Sequence, residues 1–400
     1  TSARPTDAKM AQARAALRPK LARAKALYEA GQYQPSLAEA RDALDAARAA
    51  NDPALTADAL YALGMALDKT GDINGAATTL LDAALQADAS HRDDTAARAY
   101  SWRAYVTGYE LQSFEAAERD ERHARAAIAR IGGSPELEGA LENAISARFR
   151  ASNENDKALG HYTRALALLE TAFGSDSPRI AGPLNNLAIS LVGLGRLDEA
   201  EAMLKRSMKI RIDTFGEGHP SVGPNFNNMA ELAARRGQHE RAIELYLKAQ
   251  TLIETASGPD HPYVMIAMNG RGMVLTWLGR YAEALEVHQA ALDKRTRVHG
   301  PHHPWRAYDL TGIARASLGL GDPSAALAPL EEAIALREGQ PGQDPRDVAE
   351  TKFALAKVLA ALGRDPDRAR QLAQEADQAF TRSGRRVGDT AEAGAWLAAR

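Results

Sequence analysis

The sequence predicts an all-α protein, a solenoid of about nine helix-turn-helix repeats that ends in a C-terminal capping helix. Three observations predict this fold. A glycine-led hexapeptide returns every 42 residues, small residues stand at two fixed places around each glycine, and the apolar residues between these places follow helical spacing. A fixed period of this length is the signature of a repeat architecture, in which each unit buries its apolar face against its neighbours.

The repeat register is clearest in four hexapeptides that align without gaps. They are Gly195-Arg-Leu-Asp-Glu-Ala200, Gly237-Gln-His-Glu-Arg-Ala242, Gly279-Arg-Tyr-Ala-Glu-Ala284 and Gly321-Asp-Pro-Ser-Ala-Ala326, with their glycines 42 residues apart. Steps of 40 to 42 residues extend this landmark position to Gly31, Gly71, Leu111, Asn153 and Gly363. Since glycine readily adopts a left-handed conformation, it favours a tight turn there. The sequence therefore predicts a helix on each side of every landmark.

Two columns of small residues accompany the landmarks. Seven residues before the landmark, the −7 column holds only Ala, Gly or Ser in all nine registers. Five residues after it, the +5 column holds Ala or Ser in the first eight registers. Packed helices approach to about 8–10 Å, and a large side chain at either column would push them apart. The columns therefore mark where the two helices of a pair meet.

Connector motifs before the helix pairs carry a family resemblance. Gly216-Glu-Gly-His219-Pro220 precedes Asn227-Asn228-Met229-Ala230, and Gly174-Ser-Asp-Ser177-Pro178 precedes Leu184-Asn185-Asn186-Leu187-Ala188. Gly258-Pro-Asp-His261-Pro262 and Gly300-Pro-His-His303-Pro304 repeat the pattern. The chain resembles tetratricopeptide repeat (TPR) proteins, and its long repeats are similar to those of kinesin light chains. The resemblance is strong over 155–340, and it implies an α–α superhelix with a concave groove.

The register and the resemblance together predict four segments. They are a linker or disordered start at 1–12, three looser repeats at 13–152, kinesin-light-chain-type repeats at 153–383 and a capping helix at 384–400. Trp396 is expected to cover the apolar end of the last pair. Pro183 and Pro224 fall about five residues past a connector proline, so the helices there should start late or kink.

Composition excludes several classes of function. The net charge is −3, the pI is about 6.4 and the mean hydropathy is −0.36, so we expect neither a nucleic-acid partner nor membrane insertion. The chain has no cysteine, and its first residues lack the apolar core of a signal peptide. These features predict a cytoplasmic protein without a cofactor, and nothing in the sequence indicates an oligomer. The start at Thr1, without a methionine, suggests a piece of a longer chain.

Catalytic and metal-binding motifs do not emerge from the sequence. A kinase needs a glycine-rich phosphate loop and the His-Arg-Asp and Asp-Phe-Gly motifs, but only the isolated His91-Arg92-Asp93 occurs, and we interpret it as a loop between helices. His219, His261 and His303 recur once per repeat, which would space them along one edge rather than around one ion. We therefore predict that this chain is not an enzyme, and that these histidines pack or cap the connectors.

One column of residues favours binding. Ten residues before successive landmarks stand Asn185, Asn227 and Asn269, with Asn143 before them and Thr311 after. In TPR folds this place faces the concave groove, and in kinesin-light-chain-type repeats such asparagines contact cargo peptides. The alternative is a stacking ladder between neighbouring helices, a role we assign to Asn186 and Asn228. The predicted peptide-binding groove comprises Asn143, Asn185, Asn227, Glu231, Arg235, Asn269, Met273, Trp277 and Arg315.

An aromatic stripe is a second candidate surface. Trp102, Tyr105 and Tyr109 are spaced to share one helix face, where they could form a ligand shelf. Aromatic residues at helical spacing more often pack in a core, and we favour that interpretation.

The predicted function is a non-catalytic scaffold that binds a peptide or protein segment in the groove, as part of a larger signalling protein. One alternative follows from a second resemblance, to the C-terminal TPR region of large bacterial serine/threonine protein kinases of the myxobacterial type. It makes this chain the regulatory region of such a kinase, with the catalytic domain upstream. A structural self-assembly spacer is the other alternative.

Overall fold

Nineteen helices make up the part of the chain that the computed structural model describes, residues 5–152, 154–338, 345–382 and 389–399. In successive pairs they are α1 (Pro5–Glu29) and α2 (Tyr33–Ala49), α3 (Pro53–Thr70) and α4 (Ile73–Ala89), α5 (Asp93–Tyr105) and α6 (Phe114–Arg130), α7 (Pro135–Ala151) and α8 (Asn155–Phe173), α9 (Ala181–Gly193) and α10 (Leu197–Phe215), α11 (Gly223–Arg235) and α12 (His239–Ser257), α13 (Pro262–Trp277) and α14 (Tyr281–His299), α15 (Arg306–Gly319) and α16 (Pro323–Arg337), α17 (Pro345–Ala361) and α18 (Pro366–Arg382), and the single α19 (Asp389–Ala398). The predicted all-α repeat fold of nine pairs and a terminal helix is confirmed.

The chain divides into two compact units. The first unit comprises Thr1–Leu232 and Thr251–His261, and the second unit comprises Ala233–Gln250 and Pro262–Arg400. The first helix, α1, begins at Pro5, inside the stretch 1–12 that the sequence analysis assigns to a linker.

The turn inside each pair is built as the landmarks predict. Seven landmark glycines have positive φ, between 62° and 89°: Gly31, Gly71, Gly195, Gly237, Gly279, Gly321 and Gly363. At Leu111, which lacks this freedom, α5 instead runs into a π-helical turn over Val106–Glu110, and Gln112 takes the left-handed conformation with φ 51°. The landmark Asn153 lies outside the described residues.

The prolines past the connectors delay the helices that follow them. After Pro178 and after Pro220 the chain makes a short 3-10 turn, and α9 and α11 begin only at Ala181 and Gly223. Pro183 and Pro224 thereby fall in the first turn of their helices, where a missing N–H leaves no bond broken. In contrast, α13 has no proline at the matching place and begins directly at its connector Pro262. The predicted late start is confirmed.

The small columns lie where paired helices touch. In the first pair, Ser36 of the +5 column donates a hydrogen bond from its Oγ to the carbonyl oxygen of Ala24 in the −7 column, at 2.8 Å. In the second pair, a Cβ on Gly64 would stand 2.7 Å from Cγ of Leu80. Ala188 and Ala230 in the same column are fully buried. Close backbone approach therefore explains the absence of large side chains.

The C-terminal helix packs as predicted from its tryptophan. Trp396 meets Phe353 edge to face with ring centroids 6.1 Å apart, and it joins the apolar cluster of α15 to α18. It thus covers apolar surface that the last pair would otherwise expose. No helix in the described part of the chain is long and apolar enough to cross a membrane.

Candidate functional site

In the first unit, two predicted groove asparagines accept hydrogen bonds from the two asparagines that we assign to a stacking ladder. Asn186 donates from Nδ2 to Oδ1 of Asn143 at 3.3 Å, and Asn228 donates to Oδ1 of Asn185 at 2.9 Å. Each bond joins the first helices of successive pairs, α7 to α9 and α9 to α11. The oxygens of Asn143 and Asn185 are therefore used inside the protein, while their amide nitrogens are not part of this ladder. Oδ1 of Asn227 is buried and has no hydrogen-bond partner among the described residues.

In the second unit, the same column leads into a buried ionic network. Asn269 donates from Nδ2 to Oδ1 of Asp309 at 3.3 Å, and the other carboxylate oxygen of Asp309 accepts from Nε of Arg295 at 2.6 Å. The Arg295 and Asp309 side chains are 3% and 0% exposed. Burial raises the pKa of Asp309, and the positive charge of Arg295 and the hydrogen bonds from Arg295 and Asn269 oppose that rise.

His288 on α14 is fully buried and meets this network at Asn269, whose Nδ2 lies 3.5 Å from its Nδ1. A Cβ on Gly272 would stand 2.5 Å from its Nε2, and a Cβ on Gly312 would stand 2.3 Å from its Cε1. The two glycines thus make room for the imidazole ring between α13 and α15. Burial lowers the pKa of His288 to about 4, so the ring is neutral at pH 7. A backbone hydrogen bond with Gly272 opposes this lowering of the pKa without offsetting it.

Of this network, only Asn269 belongs to the groove predicted from the sequence. Arg295 and Asp309 stand two 42-residue periods after Arg211 and Asn225, whose side chains form the corresponding hydrogen bond, and His288 stands where other pairs have Leu or Tyr. One further signal points to His288. Gly272 stands in a −7 column that holds alanine in most repeats, and the extra room it provides implies a bulky partner.

The remaining predicted groove residues differ in exposure. Trp277, the last residue of α13, is 48% exposed, with its ring 5.8 Å from that of His239. Arg235 is also exposed, whereas Glu231, Met273 and Arg315 are half-buried. Arg315 has an ion pair with Glu350 at 3.3 Å. Asn143, Asn185, Asn227 and Glu231 belong to the first unit, and Arg235, Asn269, Met273, Trp277 and Arg315 belong to the second. Whether these residues bind a peptide stays a prediction.

Two connector histidines cap the chain that follows them. Nδ1 of His219 accepts the N–H of Ser221 at 3.2 Å, and Nδ1 of His303 accepts the N–H of Trp305 at 3.2 Å. Each takes the place of the usual oxygen acceptor at a helix start. His261 is 6% exposed, and its burial lowers its pKa to about 4. Within the described ranges, no three His, Asp or Glu side chains are placed to hold a metal ion.

The aromatic stripe on α5 and its π-helical turn is a partly exposed row of rings. Trp102 and Tyr105 have ring centroids 6.2 Å apart, and Tyr105 and Tyr109 are 5.6 Å apart. None of the three rings is fully buried. Trp102 and Tyr105 pack against the buried apolar cluster of Ala77, Leu80 and Val106, as the core interpretation predicts, and their rings are half-buried.

Comparison with known sequences identifies the repeat type. A family model described as tetratricopeptide repeat matches residues 137–213, 179–254, 221–275 and 263–339. A second model with the same description matches residues 21–92. No curated protein matches the chain.

Solved structures with a similar fold share little sequence with this chain. A Rap protein complexed with Competence and Sporulation Factor aligns with a TM-score of 0.64 and 12% identity, over 92% of this chain and 98% of that one. A putative kinesin light chain with TPR-like repeats from Podosopora anserina has a TM-score of 0.39 and 20% identity, over 49% of this chain and 93% of its own. BtubC (BKLC) from P. vanneervenii has a TM-score of 0.42 and 22% identity, over 64% and 96%. At such identities the Rap match shows a shared fold and nothing further.

Proposed function

We propose that this chain, which belongs to the tetratricopeptide repeat family, is a non-catalytic scaffold that binds an extended peptide or protein segment. The ligand would lie along the first helices of the pairs, in the concave groove that the resemblance implies. Proteins of this fold are generally interaction scaffolds, and the described residues offer no catalytic constellation that would suggest another role.

The observation that carries the proposal is the exposure of Trp277. Nearly half of its surface, 48%, faces water at the end of a first helix. A tryptophan held in water gains much free energy when a ligand covers it, and tryptophan is enriched among the residues that dominate binding. Met273 lies one helical turn earlier and is half-buried. An apolar side chain of the ligand would cover both.

Within the first unit, the asparagine column offers polar groups of its own to a ligand. Because the ladder uses the oxygen of Asn143, which is half-buried, its amide N–H groups are suited to donate to carbonyl oxygens of an extended backbone, whereas Asn185 is only 5% exposed. The Rap protein of similar fold is complexed with Competence and Sporulation Factor, which supports ligand binding by an array of this kind.

The test is selection of peptides from a random display library on the immobilised chain, followed by calorimetric titration of the selected peptides. We expect Trp277→Ala to weaken binding at least tenfold. The matched control is Leu247→Ala, since Leu247 is 41% exposed but lies on α12, the second helix of its pair. If no peptide is selected, or if both variants bind as well as the wild type, the proposal is wrong.

Regulation of a kinase domain and self-assembly as a spacer stay predictions from the sequence. No contact among the described residues favours either of them.

A further inference from the structure

Arg150, near the end of α7, is a cation without a carboxylate partner among the described residues. Its guanidinium lies over the ring of Tyr109, with the Cζ atom 4.1 Å from the ring centroid. Other arginines nearby are fully paired. Arg148 binds both carboxylate oxygens of Glu121 at 2.6 and 3.2 Å, and Arg103 binds both of Asp120 at 2.6 and 2.8 Å.

Among the described residues, two buried polar atoms at this place lack a well-formed hydrogen bond: Nε of Arg150 and the hydroxyl of Tyr162 on α8, a residue that is 0% exposed. The guanidinium approaches the hydroxyls of Tyr109 and Tyr162 as a donor, which leaves the hydroxyl proton of Tyr162 without an acceptor. Burial raises the pKa of Tyr162, so its hydroxyl keeps its proton at neutral pH and can donate it to a hydrogen bond. Buried donors without partners are unfavourable, and an arriving acceptor would relieve both of them.

The surroundings of Arg150 suit an anion. Tyr109, Tyr162 and Tyr105 all lie close enough to interact electrostatically with the guanidinium. Aromatic walls exclude water and lower the local dielectric constant, which strengthens the attraction between a cation and an anion. Arg150 is half-buried as a residue, while its Nε atom and Tyr162 are buried, so a ligand would have to approach from the Arg150 side.

The π-helical turn places these rings. Leu111 donates its N–H to the carbonyl oxygen of Val106, five residues earlier, at 3.0 Å. This widened turn carries Tyr109, the residue whose ring lies under Arg150. Single π-helical turns of this kind occur often at functional sites.

We propose that Arg150, Tyr109 and Tyr162 form a binding site for an oxyanion, a carboxylate or a phosphate ester, carried on a ligand whose flat apolar part rests on Tyr105 and Trp102. The planar guanidinium can donate two parallel hydrogen bonds to such a group, and the Tyr162 hydroxyl supplies a third. This site goes beyond the proposed function, because it lies on α5, α7 and α8 and uses none of the predicted groove residues.

The test uses small probes and saturation-transfer NMR on the full chain. Benzoate and phenyl phosphate carry the two oxyanions on a flat ring, and benzamide is the neutral counterpart of benzoate. We expect at least one anionic probe to bind with a Kd on the order of millimolar, as suits a ligand of this size, and benzamide to bind at least tenfold more weakly. The stronger of the two anionic probes identifies the class of oxyanion.

Variants assign the binding to these residues. Arg150→Met keeps the length of the side chain and should abolish binding of both anions, while Tyr162→Phe removes one hydroxyl and should weaken it several-fold. The matched control is Arg164→Met, because Arg164 is an exposed arginine on α8, two residues from Tyr162. If Arg150→Met fails to fold, Arg150→Lys replaces it, and this variant should lose most of the affinity for benzoate because it lacks the planar fork.

Three results would overturn the proposal. The first is that neither anion binds, even at probe concentrations well above the expected millimolar Kd. The second is equal binding of benzamide and benzoate. The third is equal loss of affinity in the Arg164→Met control and in the Arg150 variants.

Discussion

Two helix pairs of the molecule close the same interhelical space with opposite chemistry. In α3 and α4 of the first unit, Gly64 makes room for Leu80, which lies in an apolar cluster with Ala77 and Val106. In α13 and α14 of the second unit, Gly272 at the matching place makes room for His288, beside the buried Arg295–Asp309 pair. Leu80 and His288 are both fully buried. The repeat backbone therefore does not require an apolar centre.

The difference lies in what each core needs in order to be stable. An apolar core is stabilised by burial alone, and its stability depends little on pH. A buried ion pair is stable only while every member is present and in the right protonation state, because an isolated buried charge is strongly unfavourable. We therefore expect the second unit to respond to charge-changing variants and to acid, and the α3–α4 pair to respond only to changes in volume.

The largest expected effect is from breaking the ion pair. Arg295→Met leaves the Asp309 carboxylate buried without its cation, and this should lower the free energy of unfolding by about 3–5 kcal/mol in urea titrations followed by circular dichroism. The double variant Arg295→Met with Asp309→Leu should regain most of the loss, since no charge is then buried. If the single variant unfolds at the wild-type urea concentration, the network does not stabilise the second unit.

Acid should act through His288. Its pKa is about 4 in the folded protein, against an ordinary value of 6.5, so between these pH values the unfolded chain binds a proton that the folded chain does not. Stability is therefore lost as the pH falls from about 6.5 to about 4, by roughly 3 kcal/mol at most from this one group. Folding raises the pKa of the Asp309 carboxyl, so the folded state binds a proton there more tightly than the unfolded chain does. Protonation of Asp309 therefore offsets part of the stability that acid removes through His288.

The control for this pH dependence is His288→Leu, which gives the second unit the side chain that Leu80 provides in α3–α4. Urea midpoints of this variant should fall less steeply between pH 6.5 and pH 4 than those of the wild type. His261 also has a lowered pKa and titrates in both proteins, so only the difference between the two curves reports on His288. If the urea midpoints of both proteins fall equally between pH 6.5 and pH 4, His288 does not cause the pH dependence.

A methyl group added at Gly64 or at Gly272 should lower the free energy of unfolding by different amounts in the two pairs. This difference should be smaller than the effects of the ion pair and of acid. In Gly64→Ala the new Cβ meets the flexible end of Leu80, which can move, whereas in Gly272→Ala it meets a ring that is held between two helices. We expect Gly272→Ala to lower the free energy of unfolding by roughly 1–3 kcal/mol. Gly64→Ala should lose less, because alanine favours a helix by about 1 kcal/mol over glycine. Equal thermal midpoints for the two variants would contradict this comparison.

Much of the fold could be predicted from the sequence because its determinants repeat. The landmark glycines identify the turns, and the two small columns identify where paired helices touch, as the bond from Ser36 to Ala24 shows. Even the exception at Leu111 follows from the same physics. Without a glycine, the chain reaches its turn by widening the last part of α5 and by using Gln112 for the left-handed position.

The contacts between repeats could not be predicted in the same way. A period states which residues are equivalent, but it does not state the rotation between one pair and the next. The asparagine ladder therefore runs from Asn228 to Asn185 of the preceding pair, a pairing that the spacing alone leaves open. The Arg150 site joins residues of three helices, of which Tyr162 stands in a repeated column with Leu204 and Tyr246. Such sites depend on side-chain packing that is specific to one place in the array.

The smallest expected effect compares two members of the asparagine column, one in each region. Asn185→Ala removes a hydrogen bond between two neutral amides, which should lower the free energy of unfolding by about 1 kcal/mol. Asn269→Ala removes a bond to the buried Asp309 carboxylate, and bonds to charged groups contribute about 1.5–3 kcal/mol, so its loss should exceed that of Asn185→Ala by about 1 kcal/mol. The loss at Asn269 should also shrink in acid, because a protonated Asp309 needs the amide donor less.

Thermal melts of both variants at pH 7 and pH 4.5, beside titration with a selected peptide, separate the roles of this column. If both variants melt like the wild type yet bind the peptide more weakly, the asparagines are ligand clamps only, and the structural difference between the two regions does not extend to this column.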